Sequence, residues 1–277
     1  MKLKYLGTAA AEGIPGVFCN CDICNQCRNA GEKNIRTRSQ ALLDDAILID
    51  FPADTYMHML MHRVRLDKIQ TCLITHSHSD HLYSPEIVMR VGAMAHGPEG
   101  TLTFYVTQDG YEKLMAEIHH FSLENSDRVK IHKIENKFEN FTVQGYQVTP
   151  LSADHSAEYG SVIYAIEHEG KRLLYAHDTG IFPDETWAYL ERVEFCFDCV
   201  SLDCTAFRLH GWKTGHMDLE SCVAVKDRMM RVGAADQDTK FVLNHFSHNA
   251  VYLHEQMQKI ADQYNFTVAW DGMEISF

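Results

Sequence analysis

Residues 71–81, with the sequence TCLITHSHSDH, join an apolar run to four side chains of the kinds that bind metal ions. The apolar half reads as a buried strand. Because alternate residues of an extended chain point the same way, His76 and His78 can contact one ion. Asp80 and His81 follow a turn and can face a second ion, and imidazole and carboxylate groups suit zinc, iron or manganese. The stretch therefore predicts a metal site at a strand end; the alternative is a polar loop with histidines by chance.

The size and composition of the chain favour one globular domain. With 277 residues, the chain lies near the upper limit for a single hydrophobic core, so we expect one domain over residues 1–277. Hydrophobic residues make up 45% and charged residues 23%, which is ordinary for a folded protein and too apolar for a disordered one.

The formal net charge of −13 limits the classes of partner. An acidic surface repels polyanions, and the sequence has no run of Lys and Arg, so a long nucleic acid is disfavoured. The start of the chain, MKLKYLGTAA, lacks the apolar core of a signal peptide, and no apolar run approaches the ~20 residues needed to cross a bilayer. We therefore expect a cytoplasmic protein with no membrane partner.

Short apolar runs rich in β-formers alternate with helical patterns along the chain. These patterns predict helices at 53–64, 84–95, 108–121, 217–232 and 249–264. The sequence His168-Glu169-Gly170-Lys171 predicts a hairpin turn in which Gly170 supplies a positive φ. Because the early strands look hairpin-connected and the later ones alternate with helices, we expect an α/β fold of two packed sheets with helices outside.

Three more side chains of metal-binding type come after strand-like runs later in the chain. His155 comes after YQVTPL, Asp178 after RLLYA and His245 after FVL. In this order, and together with THSHSDH, they resemble the motifs of the metallo-β-lactamase superfamily. The resemblance extends from Gly7-Thr8 to Asp271-Gly272 and implies the four-layer αβ/βα sandwich of that superfamily.

The resemblance also implies how these side chains share two divalent metal ions, zinc or manganese. The first ion would be bound by His76, His78 and His155. The second would be bound by Asp80, His81 and His245. Asp178 would bridge both, and Asp80 and Asp178 would thereby take part in catalysis. Two ions ~3.5–4 Å apart can share a water and lower its pKa from ~16 towards 7, which provides a bridging hydroxide as the nucleophile.

Four of the nine cysteines crowd into residues 19–27, which in a reducing compartment predicts a metal site rather than disulfides. The spacing of Cys19, Cys21 and Cys24 can supply three thiolates to one structural zinc. The fourth ligand of this zinc knuckle is either Cys27, which would complete an all-cysteine site, or His248, which lies three residues beyond His245 in the sequence.

The sequence GTAAAEGIP, the CxCxxC spacing and the position of His248 are together similar to the phosphoribosyl cyclic phosphodiesterase (PhnP-like) group of the superfamily. That group carries a zinc knuckle beside a two-metal centre, so the resemblance favours His248 over Cys27; Ala11 departs from it, since relatives often have a hydroxyl residue there. The element Thr214-Gly215-His216-Met217 matches a GH element with a catalytic histidine. By that resemblance His216 would protonate the leaving alkoxide, for which its usual pKa of about 6.5 is suited; the alternative is an exposed histidine at a helix start.

Four functions compete on this evidence. The leading one is hydrolysis of a small, perhaps cyclic, phosphodiester by a dinuclear metal-dependent phosphodiesterase. A second is an RNA-processing nuclease similar to tRNase Z, although only 23 positions separate His155 from Asp178, too few for a tRNA-binding arm. A third is a lactonase or thioesterase, and the least favoured is a non-catalytic zinc-binding protein. The expected partner is a small-molecule substrate, and a homodimer is common in relatives.

Overall fold

The structure, a computed structural model that describes residues 1–277, contains fourteen strands and six α-helices. The strands are β1 (Lys2–Gly7), β2 (Gln40–Leu43), β3 (Ile47–Ile49), β4 (Thr71–Leu73), β5 (Leu102–Val106), β6 (Val129–Lys133), β7 (Phe141–Val143), β8 (Tyr146–Ser152), β9 (Val162–His168), β10 (Lys171–Ala176), β11 (Cys199–Asp203), β12 (Lys240–Asn244), β13 (Thr267–Val268) and β14 (Glu274–Ser276).

The helices lie outside the sheets. They are α1 (Asp22–Ala30), α2 (Thr55–His62), α3 (Gln108–His120), α4 (Asp184–Leu190), α5 (Leu219–Arg231) and α6 (His254–Ala261). Six 3-10 helices complete the regular structure: Glu32–Asn34, Ser84–Arg90, Gly92–Met94, Ala157–Tyr159, His248–Ala250 and Asp262–Tyr264. No helix combines the length and the apolarity that crossing a membrane would require.

The strands form two seven-stranded sheets. The first has the order β14-β1-β2-β3-β4-β5-β6, and the second has the order β13-β12-β11-β10-β9-β8-β7. In the first sheet β3 to β6 run parallel to one another, and in the second β10 to β13 do so. The remaining pairs are antiparallel, so both sheets are mixed.

Three apolar clusters lie between the layers. A cluster of 19 buried residues, including Tyr5 and Tyr164, fills the space between the two sheets. A cluster of 17, including Phe104 and Leu114, joins the first sheet to α3. A third, of 31 residues and including Trp187, joins the second sheet to α4, α5 and α6. Three interfaces separate four layers, so the predicted αβ/βα sandwich is confirmed.

Strand β10 shows how the sequence builds these layers. Leu173 and Tyr175 pack into the cluster between the sheets, whereas Leu174 and Ala176 pack towards the helices. Because successive side chains of a strand point to opposite faces, a strand between two apolar interfaces must be apolar at every position. The run LLYA satisfies this requirement, and all four side chains are buried.

The ends of the parallel strands place the metal-type residues at one edge of the sandwich. The segment THSHSDH begins two residues after β4, and Asp178 and His245 follow β10 and β12. His155 follows β8, which runs in the same direction as β10 because both are antiparallel to β9. The two sheets are joined next to this edge, where the Tyr164 hydroxyl donates to the Ile74 carbonyl oxygen at 2.6 Å.

Several predicted elements are confirmed. Helices α3 and α5 lie within the patterns at 108–121 and 217–232. The hairpin turn joins β9 to β10, with His168 paired to Lys171 across it. Glu169 and Gly170 have φ values of 49° and 76°, so the positive φ predicted for Gly170 is present. This short turn leaves no arm between β9 and β10.

Other helix predictions are wrong in extent or kind. Residues 84–94 form two short 3-10 helices separated by Val91, because Val91 is extended and Gly92 adopts a φ of 59°, outside the helical region. The pattern at 249–264 contains a single shorter α-helix that starts at His254, where the Gln256 side chain accepts the backbone N–H of Leu253. Two helices, α1 and α4, were not predicted, since their nine and seven residues are too few to show a helical period clearly.

Candidate active site

The structure brings together the three histidines predicted to bind a first ion. The distance from His78 Nδ1 to His76 Nε2 is 2.9 Å, and that from His78 Nδ1 to His155 Nε2 is 3.3 Å. His76 is fully buried, while His78 and His155 are half-buried at the floor of a cavity. Three ring nitrogens therefore converge on one point.

The four residues predicted to bind a second ion, Asp80, His81, Asp178 and His245, form an adjacent buried group. Asp178 lies at its centre. Its Oδ2 atom is 2.5 Å from Nε2 of His81, and its Oδ1 atom is 3.2 Å from Nε2 of His245. The same Oδ2 is 3.4 Å from His76 Nε2, which belongs to the first group. Asp178 thus contacts both groups, as its predicted bridging position requires.

Three of the histidines are oriented through their second ring nitrogen. His81 Nδ1 donates to Asp50 Oδ2 at 2.7 Å, and His155 Nδ1 donates to the carbonyl oxygen of Gly215 at 2.9 Å. His245 Nδ1 lies 2.8 Å from the Thr205 hydroxyl oxygen. In the neutral ring, a proton on Nδ1 leaves the lone pair of Nε2 facing its group, which is the tautomer that a metal ligand needs.

Two of these residues adopt a backbone conformation that side chains other than glycine rarely take. Asp178 has a φ of 51° and His245 a φ of 62°. Left-handed conformations of this kind cost of order 1–3 kcal/mol each and collect at functional sites. Here each directs a side chain at a strand end back towards the shared centre.

Burial and charge act in opposite directions on the pKa values of the group. Burial, with the neighbouring His81 charge, holds the pKa of His76 well below its usual value. Burial also acts on His81, but the carboxylates of Asp178, Asp50 and Asp80 outweigh it and raise the pKa of His81. At Asp178 burial would raise the pKa, but the charges of His245 and His81 and the hydrogen bond with His81 outweigh it and lower the pKa.

The donor set fits two divalent cations. Oδ1 of Asp178 is buried and accepts no hydrogen bond, and a buried carboxylate oxygen without a partner is costly unless a cation offsets it. Neutral imidazoles would also repel one another if their lone pairs met with nothing between them. Imidazole nitrogen and carboxylate oxygen are ligands that zinc and manganese both accept.

His216 lies beside this centre and is held by Asp203. Its Nδ1 donates to Asp203 Oδ2 at 2.9 Å and lies 3.4 Å from Asp178 Oδ1. Although burial lowers it, the Asp203 charge and hydrogen bond raise the pKa of His216 to about 9. The backbone N–H of Gly215 donates to Asp154 Oδ2 at 3.2 Å, so the GH element is fixed to the loop that carries His155.

The metal-type residues open into a cavity of about 500 Å³. Its lining is polar, with acids and imidazoles but no Lys or Arg: Ala10, Ala11, Glu12, His78, Asp80, His155, Asp178, Thr205, Trp212, His216, His245, Ser247, His248 and Asn249. A volume of this size suits a small ligand.

The loop of the THSHSDH motif is held from behind by α3. Lys113 Nζ donates to the carbonyl oxygens of Ser77 and Leu82, at 2.7 and 2.8 Å. One turn earlier on the same helix, Asp109 accepts a hydrogen bond from the Ser77 hydroxyl. Because Ser77 and Leu82 flank His78, Asp80 and His81, these contacts fix both ends of the ligand-bearing loop.

The cysteine cluster forms a separate candidate metal site. Sγ of Cys19 and Sγ of Cys21 each lie 3.7 Å from Nδ1 of His248, and Cys24 completes the group. The backbone N–H of Cys24 and the contact with His248 lower the pKa of Cys21, which favours the thiolate that zinc binds. Cys27 instead packs in the core of the second sheet, where burial raises its pKa. The structure thus brings His248, and not Cys27, to the three thiols.

Four residues around the site were not predicted from the sequence: Asp50, Asp203, Lys113 and Glu12. Asp50 and Asp203 each stand at the end of a buried strand, β3 and β11, which is the signal that found His155 and His245. Lys113 and Glu12 carry no such signal, because a helix surface and a loop are ordinary places for charged side chains.

Comparison with known proteins identifies the family of the chain. The family model described as the Beta-lactamase superfamily domain matches residues 46–246. No curated protein matches the chain in sequence.

Solved structures of similar fold cover the whole chain. A diphosphatase from the PhnP family has 22% identity and a TM-score of 0.74, covering 100% of this chain and 97% of its own. Zn(2+)-bound PqqB from Methylobacterium extorquens has 21% identity and a TM-score of 0.76, covering 100% of both chains. The short form of human tRNase Z has 16% identity and a TM-score of 0.67, covering 100% of this chain and 99% of its own.

At these identities the three structures establish a shared fold. The family model is stronger evidence, because it spans well over half of the sequence and its residues 46–246 contain all seven side chains of the two ligand groups. The chain belongs to the metallo-β-lactamase superfamily.

Proposed function

We propose that the protein is a metal-dependent phosphodiesterase that acts on a small, possibly cyclic, phosphodiester. The observation that carries the proposal is the contact between His216 and Asp203, beside the two ligand groups and inside the same cavity. A hydrolase that expels an alkoxide gains from a proton donor next to the leaving oxygen. An imidazole fixed by a carboxylate is suited to that task.

Two groups of side chains would hold the cations. The first is His76, His78 and His155. The second is Asp80, His81 and His245, with Asp178 shared between the groups. Divalent cations bound there would polarise the phosphoryl oxygens and make water a nucleophile at neutral pH. The residues themselves contribute a fixed, buried arrangement that needs little rearrangement during the reaction.

His216 would hold and deliver the proton. Its Nδ1 is engaged by Asp203, so its Nε2 is the atom available to a leaving oxygen in the cavity. Asp203 is itself fixed, because its Oδ1 accepts the backbone N–H groups of Thr205 and Met217 at 3.0 and 3.1 Å. Asp203 is therefore a positioning residue, and His216 is the proposed general acid.

The size and charge of the cavity favour a small substrate over RNA. A cavity of about 500 Å³ accommodates a sugar or a nucleotide. No Lys or Arg lines it to bind the backbone of a polyanion, and the formal net charge of the chain is −13. The hairpin of β9 and β10 also leaves no room for an arm that could grip a tRNA.

The cysteines support a reducing compartment. All nine are free, and three of them converge with His248 at a site suited to zinc. We accordingly propose one structural zinc in addition to the two cations of the cavity, and a cytoplasmic location.

A metal-loaded assay tests the proposed reaction. The substrates are bis(p-nitrophenyl) phosphate, 2′,3′-cyclic nucleotides, a ribose 1,2-cyclic phosphate, a precursor tRNA, a lactone and a β-lactam. We expect turnover of the small phosphodiesters. Turnover of only the lactone and the β-lactam would overturn the assignment, and efficient cleavage of the tRNA alone would replace it with RNA processing.

A further inference from the structure

Glu12 brings a carboxylate into the wall of the cavity. It lies in the loop after β1, where the backbone N–H of Ala10 donates to the carbonyl oxygen of Phe246 at 2.9 Å. This contact places the loop beside the segment that carries His245. The Glu12 side chain is about one-third exposed, and Glu12 lines the cavity together with Ser247 and Asn249.

Hydrogen bonds fix one of the two carboxylate oxygens. The Ser247 hydroxyl donates to Oε1 of Glu12, and the same hydroxyl oxygen accepts the backbone N–H of Asn249 at 3.2 Å. With its only proton committed to Glu12, the Ser247 hydroxyl holds the carboxylate in a defined orientation. The other oxygen, Oε2, has no hydrogen-bond partner and remains able to accept two hydrogen bonds from a ligand.

No lysine or arginine lines the cavity to offset this charge. The imidazole of His248 approaches only the oxygen that Ser247 already holds, with its Nε2 3.9 Å from Oε1 of Glu12. Two arginines near this wall lie outside the lining and are engaged elsewhere. The Arg38 guanidinium donates to the carbonyl oxygen of Ala11 at 2.8 Å and pairs with Asp54, and the Arg208 guanidinium donates to the carbonyl oxygen of Asn249. The cations proposed at the floor would attract the one negative charge of a phosphodiester. A second anionic group on the same substrate that reached Glu12 would meet a carboxylate with no lysine or arginine beside it in the lining.

We propose that Glu12 is the specificity-determining residue of the cavity. It selects phosphodiesters whose substituent offers hydroxyl groups, such as a sugar or another polyol, and it disfavours those that carry an additional phosphate, which departs from the phosphoribosyl substrate that the resemblance to the PhnP-like group implies. The inference rests on the proposed phosphodiesterase activity. It identifies the substrate class as hydroxylated phosphodiesters with a single negative charge.

A matched pair of substrates isolates the effect of Glu12. The pair is a ribose 1,2-cyclic phosphate and the same compound with a second phosphate on its 5-oxygen, so that the bond to be cleaved is identical. We expect the wild-type enzyme to favour the singly charged compound in kcat/KM. Glu12→Gln keeps the hydrogen bond with Ser247 but removes the charge, and it should reduce this preference by about tenfold.

Controls separate charge from fold. Glu12→Asp keeps the charge and should retain most of the preference. Glu255→Gln removes an equally negative but 84%-exposed side chain on α6 and should leave the preference unchanged. Metal content and melting temperature of each variant report on folding, and bis(p-nitrophenyl) phosphate, which has no hydroxyl group, reports on the chemical step.

Three results would contradict the inference. An unchanged preference in Glu12→Gln, or a wild-type preference for the doubly phosphorylated compound, would overturn the role of Glu12 while leaving the phosphodiesterase intact. Absence of turnover of every phosphodiester, bis(p-nitrophenyl) phosphate included, would overturn the proposed function and this inference with it.

Discussion

Asp203 Oδ2 lies 2.9 Å from His216 Nδ1, and Asp203 is fully buried behind an imidazole that reaches the cavity. The carboxylate comes from the end of β11, whereas the imidazole comes from the loop before α5. Two elements of the second sheet layer therefore meet to fix one side chain next to Asp178.

This contact predicts the behaviour of Asp203→Asn. An amide cannot hold the imidazolium or its orientation as a carboxylate does, so we expect kcat to fall by about 10–100-fold with little change in KM. Metal content should stay at the wild-type level, measured by elemental analysis. His216→Ala should also retain metal and lose most turnover, and the double variant should be no worse than His216→Ala alone. Additive losses would show that the two residues act separately.

Asp50 should control metal affinity rather than the proton transfer. It accepts His81 Nδ1 at 2.7 Å and the backbone N–H of Thr75 at 2.8 Å. We expect Asp50→Asn to weaken binding of one of the two cations by about 10–100-fold, measured by competition with a chelator. Asp198→Asn, at the far end of the second sheet, removes a carboxylate without contact to any ligand and serves as control. Equal affinities in the two variants would contradict this role.

Lys113 should stabilise the ligand-bearing loop before any metal binds. Its ammonium donates to the carbonyl oxygens of Ser77 and Leu82, and hydrogen bonds from a charged group contribute about 1.5–3 kcal/mol. Lys113→Met should therefore lower the free energy of unfolding of the metal-free protein by about 2 kcal/mol, measured by urea denaturation. Lys113→Arg should recover part of it. A wild-type value for Lys113→Met would mean that the loop is held by other contacts.

Removal of knuckle ligands should cost one metal ion and no more. His248→Ala or Cys21→Ser is expected to lower the zinc content by about one equivalent, because a structural zinc needs four ligands. Cys27→Ala should keep the full complement, since Cys27 packs in the apolar core. Loss of zinc from Cys27→Ala with retention in His248→Ala would restore the all-cysteine knuckle.

Buried His58 predicts a loss of stability in acid. Burial, with the nearby His62 charge, lowers the pKa of His58 from 6.5 to about 3. The unfolded chain therefore binds a proton on His58 near pH 6.5, whereas the folded chain binds it only near pH 3. The contribution of neutral His58 to the free energy of unfolding is thus complete above pH 6.5 and is lost as the pH falls. At pH 5 the loss is about 2 kcal/mol.

His58→Asn tests this contribution. The side chain of His58 contacts the Thr37 hydroxyl and the Gln40 amide oxygen, each at 2.6 Å, so the variant will be less stable at every pH. The informative quantity is the drop in unfolding free energy between pH 7.5 and pH 5, which should be about 2 kcal/mol smaller in the variant than in the wild type. An identical drop would show that His58 does not titrate as described.

The sequence was most informative where strand pattern and side-chain chemistry coincide. TCLIT followed by HSHSDH located a buried strand and four side chains at its end. Gly170 predicted a hairpin turn, because glycine readily adopts the positive φ that such a turn requires. Asp203 was missed although it too ends a buried strand, because one aspartate in EFCFDCVSLD carries no spacing to mark it. Its partner, His216, lies thirteen positions away, and only the folded chain shows the contact.

The roles of Lys113 and Glu12 could not be predicted from the sequence, for a different reason. Lys113 contacts Ser77 across 36 positions, and Glu12 contacts Ser247 across 235 positions. Local patterns report which face of an element is buried, but they do not report which distant loop that element supports. The helix predicted over 84–95 was wrong for a local reason. Ile87 and Val91 are buried, as the pattern predicts, but Gly92 takes a φ of 59°, which interrupts the helical backbone.

The two sheets contribute unequal shares of the ligand groups: His76, His78, Asp80 and His81 follow a strand of the first sheet, and the others follow strands of the second. An ion bound by residues from both sheets would connect one half of the sandwich to the other. Affinity for metal is then thermodynamically linked to how well the halves dock, so a void created among the 19 residues between the sheets will be felt as weaker metal retention. Conversely, metal bound at both groups would stabilise the docking of the two halves.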